Sequence, residues 1–134
     1  MRIAGTVLVA GLLAIAGCKG PASVQNANAK VATFHQRLDA GDFEAIWKDT
    51  GADMKIATRK EDFAGLLGRV HEQLGKVRES KQTGWQTRVD NSGSFSELTM
   101  NTTFERGAAY ETFIYKNTDD DRQLLAGYHI KPSD

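Results

Sequence analysis

Gly93-Ser94-Phe95-Ser96-Glu97-Leu98-Thr99-Met100-Asn101-Thr102-Thr103-Phe104-Glu105-Arg106-Gly107 decides the fold of this 134-residue chain. Leu98, Met100, Thr102 and Phe104 alternate with Glu97, Thr99, Asn101 and Thr103, the two-residue period of a strand with one buried face. The first set is the better candidate for a helix-covered face. Asn91-Ser92-Gly93 before the run and Arg106-Gly107 after it are turn chemistries, so the pattern predicts a strand over 95–105. Outward from it, the same Thr, Val, Ser, Phe and Tyr composition predicts strands near 77–89, 108–116 and 123–131, the last two separated by Lys116 to Arg122. Parallel pairing needs a crossover of about a dozen residues or more, and these connections are short, so the sheet is antiparallel.

Upstream the period changes to that of a helix. Phe63, Leu66, Leu67, Val70 and Leu74 recur at intervals of three and four, behind a Thr58-Arg59-Lys60-Glu61 capping-box pattern and ahead of Gly75, which predicts a helix from about 59 to 74. Val31, Phe34 and Leu38, with Ala32 and His35, make a second stripe over 29–38. Gly41 suits a left-handed helix end, and Asp42 suits the cap of a short helix from Phe43 to Lys48 that presents Phe43, Ile46 and Trp47. Residues 49 to 57 read as loop. Two or three helices followed by a meander of about four strands is an α+β arrangement, the helices packed on one face of a curved antiparallel sheet.

Residues 1 to 17 begin with a single cation, Arg2, followed by an uncharged stretch to Gly17, the layout of a secretory signal peptide. The run is shorter than the roughly 20 apolar residues that span a bilayer, so removal rather than retention is expected. Its end, Ile15-Ala16-Gly17-Cys18, resembles the lipobox of bacterial lipoproteins. That resemblance implies acylation of Cys18 and cleavage before it, and Lys19 is not the aspartate of inner-membrane retention. The expectation is a protein of the cell envelope, lipid-anchored to the outer membrane and facing the periplasm. Residues 18–28 read as lipidated terminus and tether, about ten flexible residues reaching roughly 17 Å root-mean-square, and 29–134 as one domain.

Composition removes several chemistries. Cys18 is the only cysteine, so its acylation leaves no thiol for a disulfide, a metal or a nucleophile. With 17 basic and 17 acidic residues in the whole chain, loss of Arg2 leaves 16 against 17 and no clustered basic face of the kind nucleic acid requires. His71-Glu72 lacks the second histidine of a zinc helix, since Gly75 stands in its place, and His35, His71 and His129 fall on two helices and a strand. Asp119-Asp120-Asp121 lacks the alternating ligands of a calcium loop and reads as a solvated turn. The mature chain has no nucleophile-elbow, P-loop or dinucleotide glycine motif. No cofactor or metal is expected.

The run Phe34…Leu38-Asp39-Ala40-Gly41-Asp42-Phe43…Trp47, then Leu74-Gly75…Arg78, Tyr110-Glu111-Thr112 and Ala126-Gly127-Tyr128-His129-Ile130 resembles a group of bacterial secreted proteins known as a domain of unknown function. That group is similar to nuclear transport factor two-like, or cystatin-like, folds. The resemblance departs at Gln123, where the family has a tryptophan. It implies a curved sheet wrapped on helices, and in some relatives a conical pocket.

Glu111 is then the acid of interest: buried on a central strand, it would have a raised pKa suited to a general base. The plainer alternative has it facing water or pairing with Arg78, Arg88 or Arg106. Trp47, Tyr110 and Tyr128 are ligand-lining candidates and equally ordinary packing residues. Two functions follow. One is a non-catalytic domain that binds another envelope protein or a small apolar ligand through its sheet face. The other is an enzyme or small-ligand carrier using Glu111, which needs a cavity of about 300 Å³ or more beside that carboxylate.

Overall fold

The computed structural model describes residues 21–133. Four helices, α1 (Ala22–Asp39), α2 (Phe43–Lys48), α3 (Ala52–Ala57) and α4 (Lys60–Leu74), precede four strands, β1 (Val77–Asp90), β2 (Gly93–Phe104), β3 (Gly107–Asn117) and β4 (Gln123–Pro132). The strands pair in chain order as an open antiparallel sheet. The fold is α+β, with the helices first, as the switch of hydrophobic period implied.

The core lies between the helices and one face of the sheet. Val24, Ala27, Val31, Phe34 and Leu38 of α1, with Phe63, Leu67 and Val70 of α4, meet Leu98, Met100 and Phe104 of β2 and Phe113 and Tyr115 of β3. Leu98, Met100, Thr102 and Phe104 are all buried, so the alternation in β2 assigns its faces correctly. Phe34 and Phe113 meet edge to face at 4.9 Å, and Tyr128 lies 5.1 Å from Phe113.

Three local expectations need correction. The expected tether over 18–28 ends early, because α1 begins at Ala22 and buries Val24 and Ala27. These continue the Val31 stripe backwards, and the small polar residues between them simply face solvent. A third helix, α3, occupies part of the expected loop; its Met54 is buried. The capping box is not formed, since Arg59 is the N-cap and no side chain caps the helix there. By contrast Asp42 caps α2 by accepting from Ala45 N–H at 3.1 Å, and Gly41 takes a φ of 70°. Gly75 ends α4 at a φ of 77°, and an added Cβ there would lie 2.9 Å from Glu105 Oε1. The signal-peptide, cleavage and Cys18 readings lie outside the described residues.

The two sheet edges differ. Near its start β4 is covered: Thr50 forms a parallel bridge to Leu125, with Gly51 N–H donating to Leu125 O at 3.0 Å and Leu125 N–H to Asp49 O at 2.9 Å. Asp49 also accepts from Arg37 Nη1 at 2.7 Å, which ties this edge to α1. β1 is the other edge and, among the described residues, pairs only with β2.

Candidate functional site

Alternation along β3 points Ala109, Glu111, Phe113 and Tyr115 into the core and leaves Tyr110, Thr112, Ile114 and Lys116 on the opposite face. The strand thus builds two unlike places back to back.

On the core side, Glu111 has no solvent exposure at all. His35, on the buried stripe of α1, places Nε2 2.8 Å from Glu111 Oε1, and Tyr128 of β4 donates its hydroxyl to Glu111 Oε2 at 2.6 Å. Both carboxylate oxygens therefore have a partner, one from the helix layer and one from the neighbouring strand. An ionised Glu111 accepts only, which makes Nε2 the protonated nitrogen of His35. Burial, the Glu111 charge and the hydrogen bond to it together hold the Tyr128 phenol well above its ordinary pKa. Neither plain alternative for Glu111 is realised: it does not face water, and its partners are His35 and Tyr128 instead of Arg78, Arg88 or Arg106. Arg88 pairs with Asp90, and Arg106 donates to the carbonyls of Glu72 and Gln73.

A general base must come within about 2.6–3.2 Å of the proton it removes. None of the described cavities is lined by Glu111. Between helices and sheet, the space lined by Phe34, Ile46, Tyr115 and Leu125 has a volume of about 10 Å³. A second, lined by Leu66, Val70, Leu74, Ala109, Ile130 and Pro132, has about 200 Å³, short of the roughly 300 Å³ at which ligand clefts begin.

The roomiest described concavity is on the other face. A groove of about 710 Å³ crosses the sheet, floored by Thr99 of β2 and Thr112 of β3 and flanked by Glu97, Tyr110, His129 and Lys131. The register places Thr99 opposite Thr112, and Thr112 opposite His129, so these three form one row. Tyr110 is 39% exposed, with Lys131 Nζ 6.0 Å from its ring centre. Asn101, opposite Tyr110, has a buried Oδ1 without a hydrogen-bond partner among the described residues.

The three aromatic candidates do not converge. Tyr110 lines the groove, Tyr128 holds Glu111 inside the core, and Trp47 of α2 packs 6.0 Å from Phe63. The three histidines are likewise apart: His35 in the core, His71 6.4 Å from Phe43, His129 in the groove. Alternation around Glu111 was visible in the sequence, but its pairing with His35 joins residues 76 apart and depends on how α1 crosses the sheet. The groove's threonine row had a signal, the polar set opposite Leu98 and Met100, that gives a face without giving a concavity.

A match to the family described as "Protein of unknown function (DUF4019)" spans residues 30–128. The chain belongs to that family. The matched span runs from the middle of α1 to Tyr128, so it contains His35, Glu111 and the threonine row. No curated protein and no solved structure is a significant match to the chain.

Proposed function

We propose that the chain is a lipid-anchored protein of the cell envelope whose family domain is a non-catalytic binding module, taking its ligand at the groove on the outer sheet face. The observation that carries this reading is the contrast across β3. The only buried carboxylate among the described residues has both oxygens engaged and lines none of the described cavities, while polar and aromatic side chains on the reverse face line about 710 Å³ of open groove. This supports a binding role over an enzyme or carrier that uses Glu111 as general base. Helices packed on a four-stranded antiparallel sheet also support kinship with nuclear transport factor two-like folds.

The anchor rests on Ile15-Ala16-Gly17-Cys18 behind an uncharged stretch, and Lys19 supports the outer membrane as destination. The ligand is a segment of another envelope protein or a small apolar molecule, with Thr99, Thr112 and His129 supplying hydrogen bonds and Tyr110 the apolar contact.

Two measurements test the reading. Radiolabelled fatty acid should enter the wild type and not Cys18→Ala; equal labelling defeats the anchor. A photo-reactive residue at position 112 should give a discrete adduct in intact cells that is lost when Tyr110→Ala is added. Adducts of equal yield from a control position at Glu72, on α4, would defeat the groove.

A further inference from the structure

We propose that the end of the domain surrounding the first turn of α1 rests against the bilayer that holds Cys18, so that the sheet stands on end and the groove opens sideways above the lipid. The inference deepens the anchoring reading and rests on it. Only residues 19–21 separate Cys18 from Ala22, the first residue of α1. Fully extended, the four steps from Cys18 to Ala22 reach at most about 14 Å. A lipid-bearing cysteine on so short a leash leaves the domain one end to present.

That end is fixed by hydrogen bonds. Gln123 Nε2 donates to Ser23 O at 2.8 Å and to Asn117 Oδ1 at 2.7 Å, and Asn117 Nδ2 donates to Ser94 Oγ at 3.1 Å. The first turn of α1 therefore sits on the root of the β3–β4 turn and beside the β1–β2 turn, and those two turns share the membrane-facing end. At about 3.3 Å per strand residue, Tyr110 stands roughly 23 Å further from the lipid than Asn117. The groove is held clear of the headgroups.

The surface chemistry of this end fits a neutral headgroup layer. The three cations on the strands and turns of this end are each paired, Arg88 with Asp90, Lys116 with Asp53 at 3.1 Å and Arg122 with Asp120 at 2.8 Å. On α3, exposed Lys55 lies over the Trp47 ring at 5.9 Å, a single cation in place of a basic cluster. The two most exposed large apolar side chains among the described residues also belong to elements at this end: Val89, 80% exposed, beside the β1–β2 turn, and Ile56, 86% exposed, on α3, which the Asp53–Lys116 pair joins to it. Apolar contact added to a covalent lipid holds the orientation without requiring net positive charge.

The test uses the full lipidated chain in zwitterionic vesicles that carry a headgroup nitroxide quencher. With Cys18 acylated, a new cysteine is the only thiol to label. A fluorophore on Asn91→Cys or Asp119→Cys should be quenched severalfold more than one on Lys76→Cys, at the opposite end. The difference should persist in high salt and shrink when about a dozen Gly and Ser residues, reaching roughly 20 Å root-mean-square, are inserted between Gly20 and Pro21. Lipid on Cys18 with equal quenching at the three positions, or strongest quenching at Lys76→Cys, overturns the orientation alone. Absence of lipid from Cys18 overturns the orientation together with the anchor. Quenching at Asp119→Cys that rises with protein concentration, from pairing of two copies, also overturns it.

Discussion

The two faces of β3 are built from neighbouring residues and differ in one respect above all: core-facing Glu111 has a partner for each oxygen, while the side chains of outward-facing Tyr110 and Thr112 have no hydrogen bond among the described residues. Glu111 is satisfied on both oxygens by His35 and Tyr128, whereas one residue away Tyr110 and Thr112 line open space. A carboxylate placed in a core stays only where its lone pairs are used, because an unpaired buried group forfeits its hydration with nothing in return. Threonine hydroxyls and a tyrosine on an outer face carry no such requirement. The inner cluster thus binds α1 to the sheet, and the outer row is free to meet something else.

The comparison breaks most visibly at Glu111. Glu111→Ala leaves the Tyr128 hydroxyl and His35 Nε2 without acceptors in a buried site, at about 1–3 kcal/mol for each orphaned group. A loss of about 2–6 kcal/mol is a large share of the 5–15 kcal/mol that holds a domain together. Urea denaturation followed by circular dichroism should show it, with Glu111→Gln losing less because an amide can still accept from one partner. A change below about 1 kcal/mol in Glu111→Ala would mean that the cluster does not hold the layers together.

Tyr128→Phe is the next step down, removing one hydrogen bond to a charged acceptor for about 1.5–3 kcal/mol. It also changes the alkaline limb. The folded Tyr128 pKa lies well above its ordinary value of 10.0, so the unfolded chain releases this proton first. The stability associated with the buried phenol is therefore complete below pH 10 and is lost as pH rises from there toward the folded value. Tyr115, also raised, chiefly by burial, adds to the same slope. The wild type should lose denaturant resistance steadily above pH 10, and Tyr128→Phe should show a shallower decline from a lower starting point.

Gln123 sharpens the contrast at a smaller scale. Its Nε2 alone bridges Ser23 O and Asn117 Oδ1, so Gln123→Ala should cost about 1–2 kcal/mol and speed amide exchange in the first turn of α1 more than in α4. Uniform exchange rates in the variant would remove Gln123 as the fastener of that turn.

Periodicity shows what belongs to a layer, and little about where layers meet. The β2 alternation and the α4 stripe are local, so strand faces, helix order and the antiparallel meander could be read from neighbouring residues. The start of α1 could not, because Val24 and Ala27 are small and stand among Ser, Gln and Asn, and their burial depends on the sheet beneath them. Glu111 shows the same limit more sharply. Its position on a central strand was plain, but its partners come from α1 and β4, and arginines looked the more natural choice until the crossing of α1 over the sheet brought a histidine to it. The groove is a property of several strands together, and no single stretch of sequence encodes it.

Tyr110 carries the smallest expected effect on stability and the most informative one. Its side chain is part-exposed, its backbone pairing with Asn101 and Lys131 does not depend on the ring, and its one described ring contact is the Lys131 ammonium at 6.0 Å. Tyr110→Ala should therefore shift the urea midpoint by no more than a surface change does, about 0.5 kcal/mol. Adduct formation from position 112 should nevertheless fall. Should Tyr110→Ala unfold the domain as Glu111→Ala does, the outer face would be structural too, and the division between a satisfied core face and an available outer face would not hold. Stability kept and binding lost, in one variant, is what separates a groove made for a ligand from the incidental relief of a sheet.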